Sequence, residues 1–263
     1  MALALVAAGA GSANAAISYT DPSTAYVQNF DTFAGSTNAG VAFTNDSTIP
    51  GFYTYMSGSS TVTAGPMDVV YRGTSTVTNG GGSARIPSGA SYPFYFLRPS
   101  SSTTDVQFGT YNTDTTTSGV GSGYLSYGFA FTNNTGATVT SFSLKYDAFA
   151  STTAYTNDDP VSVSYAINAT GVADAEGAYT TVDGMGYSTS AAGVLTQQTV
   201  TEASGFTLQP GETIWIRFKD GNVGSTDRFS RIDNVTVVVP EPASLALVGL
   251  GGLGLAARRR KGC

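Results

Sequence analysis

The sequence predicts an all-β fold, a two-sheet antiparallel sandwich of the jelly-roll type, and three observations predict it. Apolar and polar residues alternate with period two over several short stretches, the signature of half-buried strands. Turn formers crowd the segments between them, with 32 Gly in 263 residues. The interior of the chain holds no run of apolar i, i+3, i+4 spacing long enough for a stable helix. Charged residues make up 11% and hydrophobic residues 41%, against about 25% charged in an ordinary soluble domain. With 14 Phe and 15 Tyr spread along the chain, this is the mixture of many short strands joined by turns, not of a disordered polymer.

The first element is an address. Met1 to Ala15 is apolar and ends in Ala13-Asn14-Ala15, a small-x-small cleavage pattern, so residues 1–15 read as a signal peptide and the mature chain starts near Ala16. No Lys or Arg precedes the apolar run, a departure from the usual leader.

The strands follow. Tyr127, Phe129 and Phe131 alternate with Gly128, Ala130 and Thr132, and Asn133-Asn134-Thr135-Gly136 supplies a turn. Phe142, Leu144 and Tyr146 then alternate with Ser141, Ser143 and Lys145. The pair reads as successive strands joined as a hairpin. Val161, Val163, Tyr165 and Ile167 repeat the pattern, as do Ile214, Ile216 and Phe218 after a Gln209-Pro210-Gly211 turn. A last strand covers Val235 to Val239. Gly80-Gly81-Gly82 and residues 114–123 are too short for linkers, so residues 16–239 read as one domain.

The last element is again an address. Val239-Pro240-Glu241-Pro242 precedes an uncharged run from Ala243 to Ala257, then Arg258, Arg259, Arg260 and Lys261. A helix over 243–257 rises about 22 Å, short of a bilayer core of about 30 Å, and snorkelling Arg side chains close the gap. The basic cluster places the C-terminus in the cytoplasm and the preceding domain outside. The two prolines deny the segment backbone donors and keep it extended.

A Pro-Glu-Pro triplet, a short Gly/Ala/Leu-rich helix and a terminal Arg cluster resemble the PEP-CTERM sorting signal, covering residues 240–263. The resemblance implies a single transmembrane helix that holds the precursor in the inner membrane. It also implies recognition of Pro240, Glu241 and Pro242 by an exosortase-type membrane transpeptidase of a Gram-negative, exopolysaccharide-producing host. Release or transfer to the cell surface, outer membrane or extracellular matrix would follow. Tyr26-Val27-Gln28-Asn29-Phe30-Asp31, Ile49-Pro50-Gly51-Phe52-Tyr53, Phe129 to Gly136, Leu208 to Glu212 and Ile232-Asp233-Asn234-Val235 resemble a recurrent ectodomain of such proteins. That likeness implies a jelly-roll sandwich and assigns no activity. It lapses after Tyr146, where the aromatic-basic cluster of those proteins is missing.

Chemistry is bounded tightly. The chain has no His, and its one Cys is Cys263. This excludes a Ser-His-Asp triad, a Cys-His dyad, a His-ligated metal and an internal disulfide. A net charge of −6 gives no grip on a phosphate backbone, so no nucleic-acid partner is expected. Paired carboxylates for glycoside hydrolysis have candidates in Asp147, Asp158, Asp159 and Glu202, but a protein without enzymatic activity is the expectation. Asp31 and Asp233 lie where jelly-roll modules draw ligands for a structural Ca²⁺; the alternative is that both make turns or cap strand ends. Asp220 to Asp227 is oxygen-rich but misses the EF-hand spacing and reads as a turn. Tyr53, Tyr55, Tyr95 and Trp215 are the candidate rings for stacking against polysaccharide, with Trp215 exposed beside Arg217 as a cation–π pair. The alternative is that these rings are core.

Overall fold

The computed structural model describes residues 16–22, 24–34, 39–57, 64–66, 69–77, 94–99, 104–110, 123–150, 160–172, 178–188, 195–221 and 230–240. The strands are β1 (Ile17–Tyr19), β2 (Tyr26–Gln28), β3 (Ala39–Ala42), β4 (Phe52–Met56), β5 (Val69–Val77), β6 (Phe94–Pro99) and β7 (Gln107–Thr110). They continue as β8 (Tyr124–Asn133), β9 (Val139–Ala150), β10 (Val161–Ile167), β11 (Thr180–Thr181), β12 (Leu195–Leu208), β13 (Thr213–Gly221) and β14 (Ser230–Val238). A 3₁₀ turn, Asp31–Phe33, follows β2.

One sheet runs β1-β8-β13-β10-β11, with β4 pairing β8 beyond the end of β1. The other runs β12-β9-β14-β7-β6-β5-β3, with β2 pairing β14 beyond the end of β7. The strands β7 to β14 alternate between sheets except at β10–β11, and their orders, 7-14-9-12 facing 8-13-10-11, are the winding of a jelly roll. The fold class follows the sequence reading, with two corrections.

The first concerns β8 and β9, which form no hairpin. They lie in opposite sheets, and Asn133 to Gly136 carries the chain across the sandwich. Period two gives each strand an apolar face, and those faces meet across the core rather than lying side by side. Tyr127, Phe129 and Phe131 look in from one sheet; Phe142, Leu144 and Tyr146 look in from the other. Buried Asn133 ties the crossing together. Its Nδ2 donates to the carbonyls of Ala137 at 2.8 Å and Leu208 at 3.0 Å.

The second concerns pairing. The sandwich is not wholly antiparallel, because β1 runs parallel to β8 and β5 parallel to β6. Parallel neighbours need a connection of about a dozen residues or more, which the stretch 78–93 between β5 and β6 supplies.

The core between the sheets is aromatic. Phe52 and Phe108 pack edge-on at 4.9 Å, Phe108 meets Tyr127 at 5.1 Å, and Tyr127 stacks on Phe218 at 5.2 Å. A second, smaller cluster covers the outer face of the first sheet. Ala130, Ala166, Trp215 and Tyr53 of the sheet pack beneath Val172 and Tyr179, from the segment that links β10 to β11. Ser126 Oγ fastens that cover by donating to the Val172 carbonyl at 2.9 Å. The sheet is therefore buried on both faces where β8 and β13 cross its middle. Gly128 allows this close passage: a Cβ there would sit 2.0 Å from the Ile216 carbonyl oxygen.

Candidate functional site

The carboxylates gather on the edge of β14. β7 pairs with β14 only as far as Ile232, and β2 begins its pairing at Val235, so Asp233 and Asn234 lie in the gap between them. The ladder to β9 is irregular at the same place, between Asp233 and Thr236, and Asn234 takes φ +49°. Two short segments close over the gap. One carries Asp31, directly after Phe30, which holds φ +56° with its ring wholly buried. The other carries Asp105, just before β7. A bulky non-glycine residue in the left-handed region is strained, and here the buried ring holds it there.

Hydrogen bonds fix the groups. Asp31 Oδ1 accepts from the Val106 N–H at 2.9 Å, and Oδ2 accepts from Asn29 Nδ2 at 2.9 Å. Asp233 Oδ1 accepts from the Asn234 N–H at 2.7 Å, while Asn234 Nδ2 donates to Asp147 Oδ2 at 2.8 Å. Asp233 is 4% exposed. Burial pushes its carboxyl up to about 8; the Asn234 N–H opposes this, and the carboxyls of Asp105, which also shares a hydrogen bond, and Asp31 add to it. Two carboxyl groups that share a hydrogen bond need a proton between them. Burial and the neighbouring carboxyls thus favour the protonated form of Asp233. Among the described residues, no three His, Cys, Asp or Glu side chains are arranged to hold a metal ion by themselves, so a cation here would need backbone carbonyls as further ligands.

Asp31 and Asp233, picked out in the sequence, are thus brought together. Asp105 and Asp147 were missed as partners. Asp105 carries no local motif, and only the chain's return along β7 delivers it; Asp147 is opposite Asp233 in the β9–β14 register.

The candidate rings fare differently. Tyr53, Tyr95 and Trp215 are 4%, 0% and 2% exposed, so none presents a face to a sugar. Trp215 is not an exposed partner of Arg217. Its ring packs 4.5 Å from Tyr53, and the Arg217 guanidinium, itself buried, lies 3.7 Å over the Tyr179 ring. The reason is the covering segment, which turns the outward face of β13 into an interior. Tyr55 alone of the four is half-buried, 6.4 Å from Tyr124, over which Lys219 Nζ sits at 4.7 Å.

Of the candidate acids, Asp147 and Glu202 do not pair for hydrolysis. Glu202 is opposite Ser143 while Asp147 is opposite Gln197, an offset of about 13 Å along the strands, wider than the roughly 5–9.5 Å that glycosidases use. Asp158 and Asp159 lie outside the described residues. Asp220 belongs to β13, not to a solvent turn. Wholly buried, it accepts from Thr110 Oγ1 at 2.5 Å and Ser230 Oγ at 3.2 Å and so joins the two sheets. The rest of that oxygen-rich stretch, 222–227, is outside the described residues.

Val239 and Pro240 are the last described residues. β14 stops at Val238, and Pro240 leaves the surface exposed. Glu241, Pro242, the run 243–257 and the basic residues 258–261 lie outside the described residues, as does the stretch 1–15. Among the described residues no helix is long and apolar enough to cross a membrane.

Residues 238–261 match the PEP-CTERM protein-sorting motif. The chain therefore carries a tail of the protein-sorting type directly after its last described strand. No curated protein matches the chain. Among solved structures, that of TmCBM61 in complex with β-1,4-galactotriose is similar at 9% identity over 51% of this chain and 71% of that one, with a TM-score of 0.26.

Proposed function

We propose that this chain is a non-catalytic protein of the cell surface or exopolysaccharide matrix, exported as an inner-membrane precursor and released or transferred by an exosortase-type transpeptidase. The observation that carries the reading is the sorting motif seated directly behind the last strand, with Pro240 exposed where the sheet ends. An extended, donor-poor stretch against a closed domain suits a membrane-bound protease. The absence of His from the sequence and the separation of Glu202 from Asp147 support a role without hydrolysis. The test is deletion of Pro240 to Lys261, followed by cell fractionation and mass measurement of both chain ends. The expected result is a changed destination, with the untruncated chain cut at both ends. Unchanged localisation would refute the reading.

A second proposal concerns the gap on β14. The pairing of Asp105 with Asp233 beside Asp31 favours a divalent cation, Ca²⁺ by its oxygen donors, in place of the shared proton. Calcium at pH 8 is expected to raise the melting temperature over that in EDTA, and Asp233→Asn is expected to remove the effect. Equal melting in both buffers would count against it. Retention by polysaccharide would rest on Tyr55, and a glycan array on which Tyr55→Ala binds like wild type would remove that role.

A further inference from the structure

The two ends of the described fold meet at one hydroxyl. β1 lies parallel to the last residues of β8, and the Asn134 N–H donates to the Tyr19 carbonyl at 2.8 Å. The Tyr19 ring passes into the core, 6% exposed, and its hydroxyl reaches Val239, 220 positions away. It donates to the Val239 carbonyl at 3.0 Å and accepts from the Val239 N–H at 3.2 Å. One side-chain group thus satisfies both backbone groups of one residue.

That residue has no ladder of its own. The pairing of β14 with β9 ends at Val238 opposite Ser143, and its pairing with β2 ends at Val237 opposite Tyr26. Val239 is nevertheless 3% exposed. Pro240, next along, has no N–H and is exposed. Tyr19 therefore protects the backbone of Val239, and Pro240 beside it is exposed. From there Pro240 to Pro242 can span at most about 10 Å before the apolar run begins.

We infer that Tyr19 is a positioning residue for removal of the sorting tail: by holding Val239 in the fold, it fixes the upstream limit of the cut. The inference rests on the processing reading above. In that reaction the scissile C–N bond breaks, its carbonyl carbon passes to water or to an acceptor amine, and the tail leaves with a free amino group. A protease takes its substrate as extended backbone with free N–H and C=O groups on both sides of that bond. Val239 offers neither while the phenol holds both, so the cut is confined to residues beyond it. Without the hydroxyl the Val239 N–H and C=O come free, and only the packing of its side chain in the core still holds the residue.

The test is Tyr19→Phe, which removes one oxygen, expressed in the exosortase-bearing host beside wild type and Ser18→Ala. Ser18 Oγ accepts from Asn134 Nδ2 at 2.7 Å, so its loss weakens the seating of β1 without touching the latch. The readout is the intact mass of the mature protein, which identifies its C-terminal residue. Wild type and Ser18→Ala should share one terminus downstream of Val239. The Tyr19→Phe protein should show a spread of termini extending upstream by about two residues, with less precursor remaining. Identical termini and precursor ratios in all three would overturn the inference alone. A wild-type chain with an intact tail would overturn the sorting reading and the inference together. Should Tyr19→Phe fail to accumulate, hydrogen exchange in wild type decides. A protected Val239 amide is required, and exchange at the rate of a free peptide would refute the latch.

Discussion

Asp233→Asn tests the carboxylate gap through its pH dependence. Burial and the neighbouring Asp105 and Asp31 carboxyls raise Asp233 from its ordinary 3.8 to about 8 in the folded chain. Below pH ~4 both folded and unfolded chains carry the proton, and the group adds no pH dependence. Between ~4 and ~8 the unfolded chain has lost the proton and the folded chain keeps it, so folding takes up a proton and stability falls as pH rises. Above ~8 the loss is complete and constant. One proton corresponds to at most about 1.4 kcal/mol per pH unit. We expect a loss on the order of 3 kcal/mol between pH 5 and pH 8. For a domain above 200 residues that is a fall of about 6–12 °C in melting temperature. Asparagine can still accept from the Asn234 N–H and can donate to Asp105 without a proton. The assay is thermal unfolding of the purified exported protein in EDTA at pH 5, 6.5 and 8. The chain has no His, so no imidazole titrates in that window. Wild type should melt progressively lower, while Asp233→Asn should stay nearly level and exceed it at pH 8. A level wild type, or a variant that falls in parallel with it, would refute the argument.

Three further outcomes follow from the packing. The sole Trp, 2% exposed, should emit at short wavelength and resist acrylamide quenching; red-shifted, readily quenched emission would place it in solvent after all. Gly128→Ala, whose Cβ would meet the Ile216 carbonyl oxygen at 2.0 Å, should cost about 3 kcal/mol or more by forcing β8 and β13 apart, and a chemical-denaturation midpoint like that of wild type would contradict this. Asn133→Ala strips the crossing of two donated bonds; it leaves the buried Leu208 carbonyl short of a donor and the part-buried Ala137 carbonyl with Thr135 Oγ1 at 3.2 Å. We expect a loss of about 2–4 kcal/mol, measured the same way, and a change under 0.5 kcal/mol would show that the crossing holds without it.

The sequence disclosed the strands where alternation was regular and the tail where three features stood in order. Phe142, Leu144, Tyr146 and Ala148 of β9 all face the core as their spacing required. Alternation says which face of a strand is buried but not which sheet it joins, and so β8 and β9 looked like a hairpin. β12 escaped notice because its ladder slips between Ser204 and Leu208, around Gly205 at φ +85°, so that Ala203 and Phe206 both point inward three residues apart. The outward face of β13 looked free, with Trp215 placed in solvent. That face, like that of β10, is interior because the segment linking β10 to β11 lies on it, and no local pattern announces that. Asp31 and Asp233 were visible as residues of flanking strands, whereas Asp105 joins them only by tertiary return.

The alternation of β7 to β14 between two sheets also determines how this chain reaches its structure. With β8 and β9 in different sheets and β1 meeting the end of β14 through Tyr19 and Val239, few pairings can form early from neighbours in sequence. Each sheet needs strands from distant parts of the chain, and the entropy of closing such loops must be met before any pairing rewards it. Such a topology folds in milliseconds to seconds rather than microseconds. For an exported protein that delay is useful: the polypeptide stays pliant enough to be threaded through a narrow translocation pore, and it closes only when its first and last strands are on the same side.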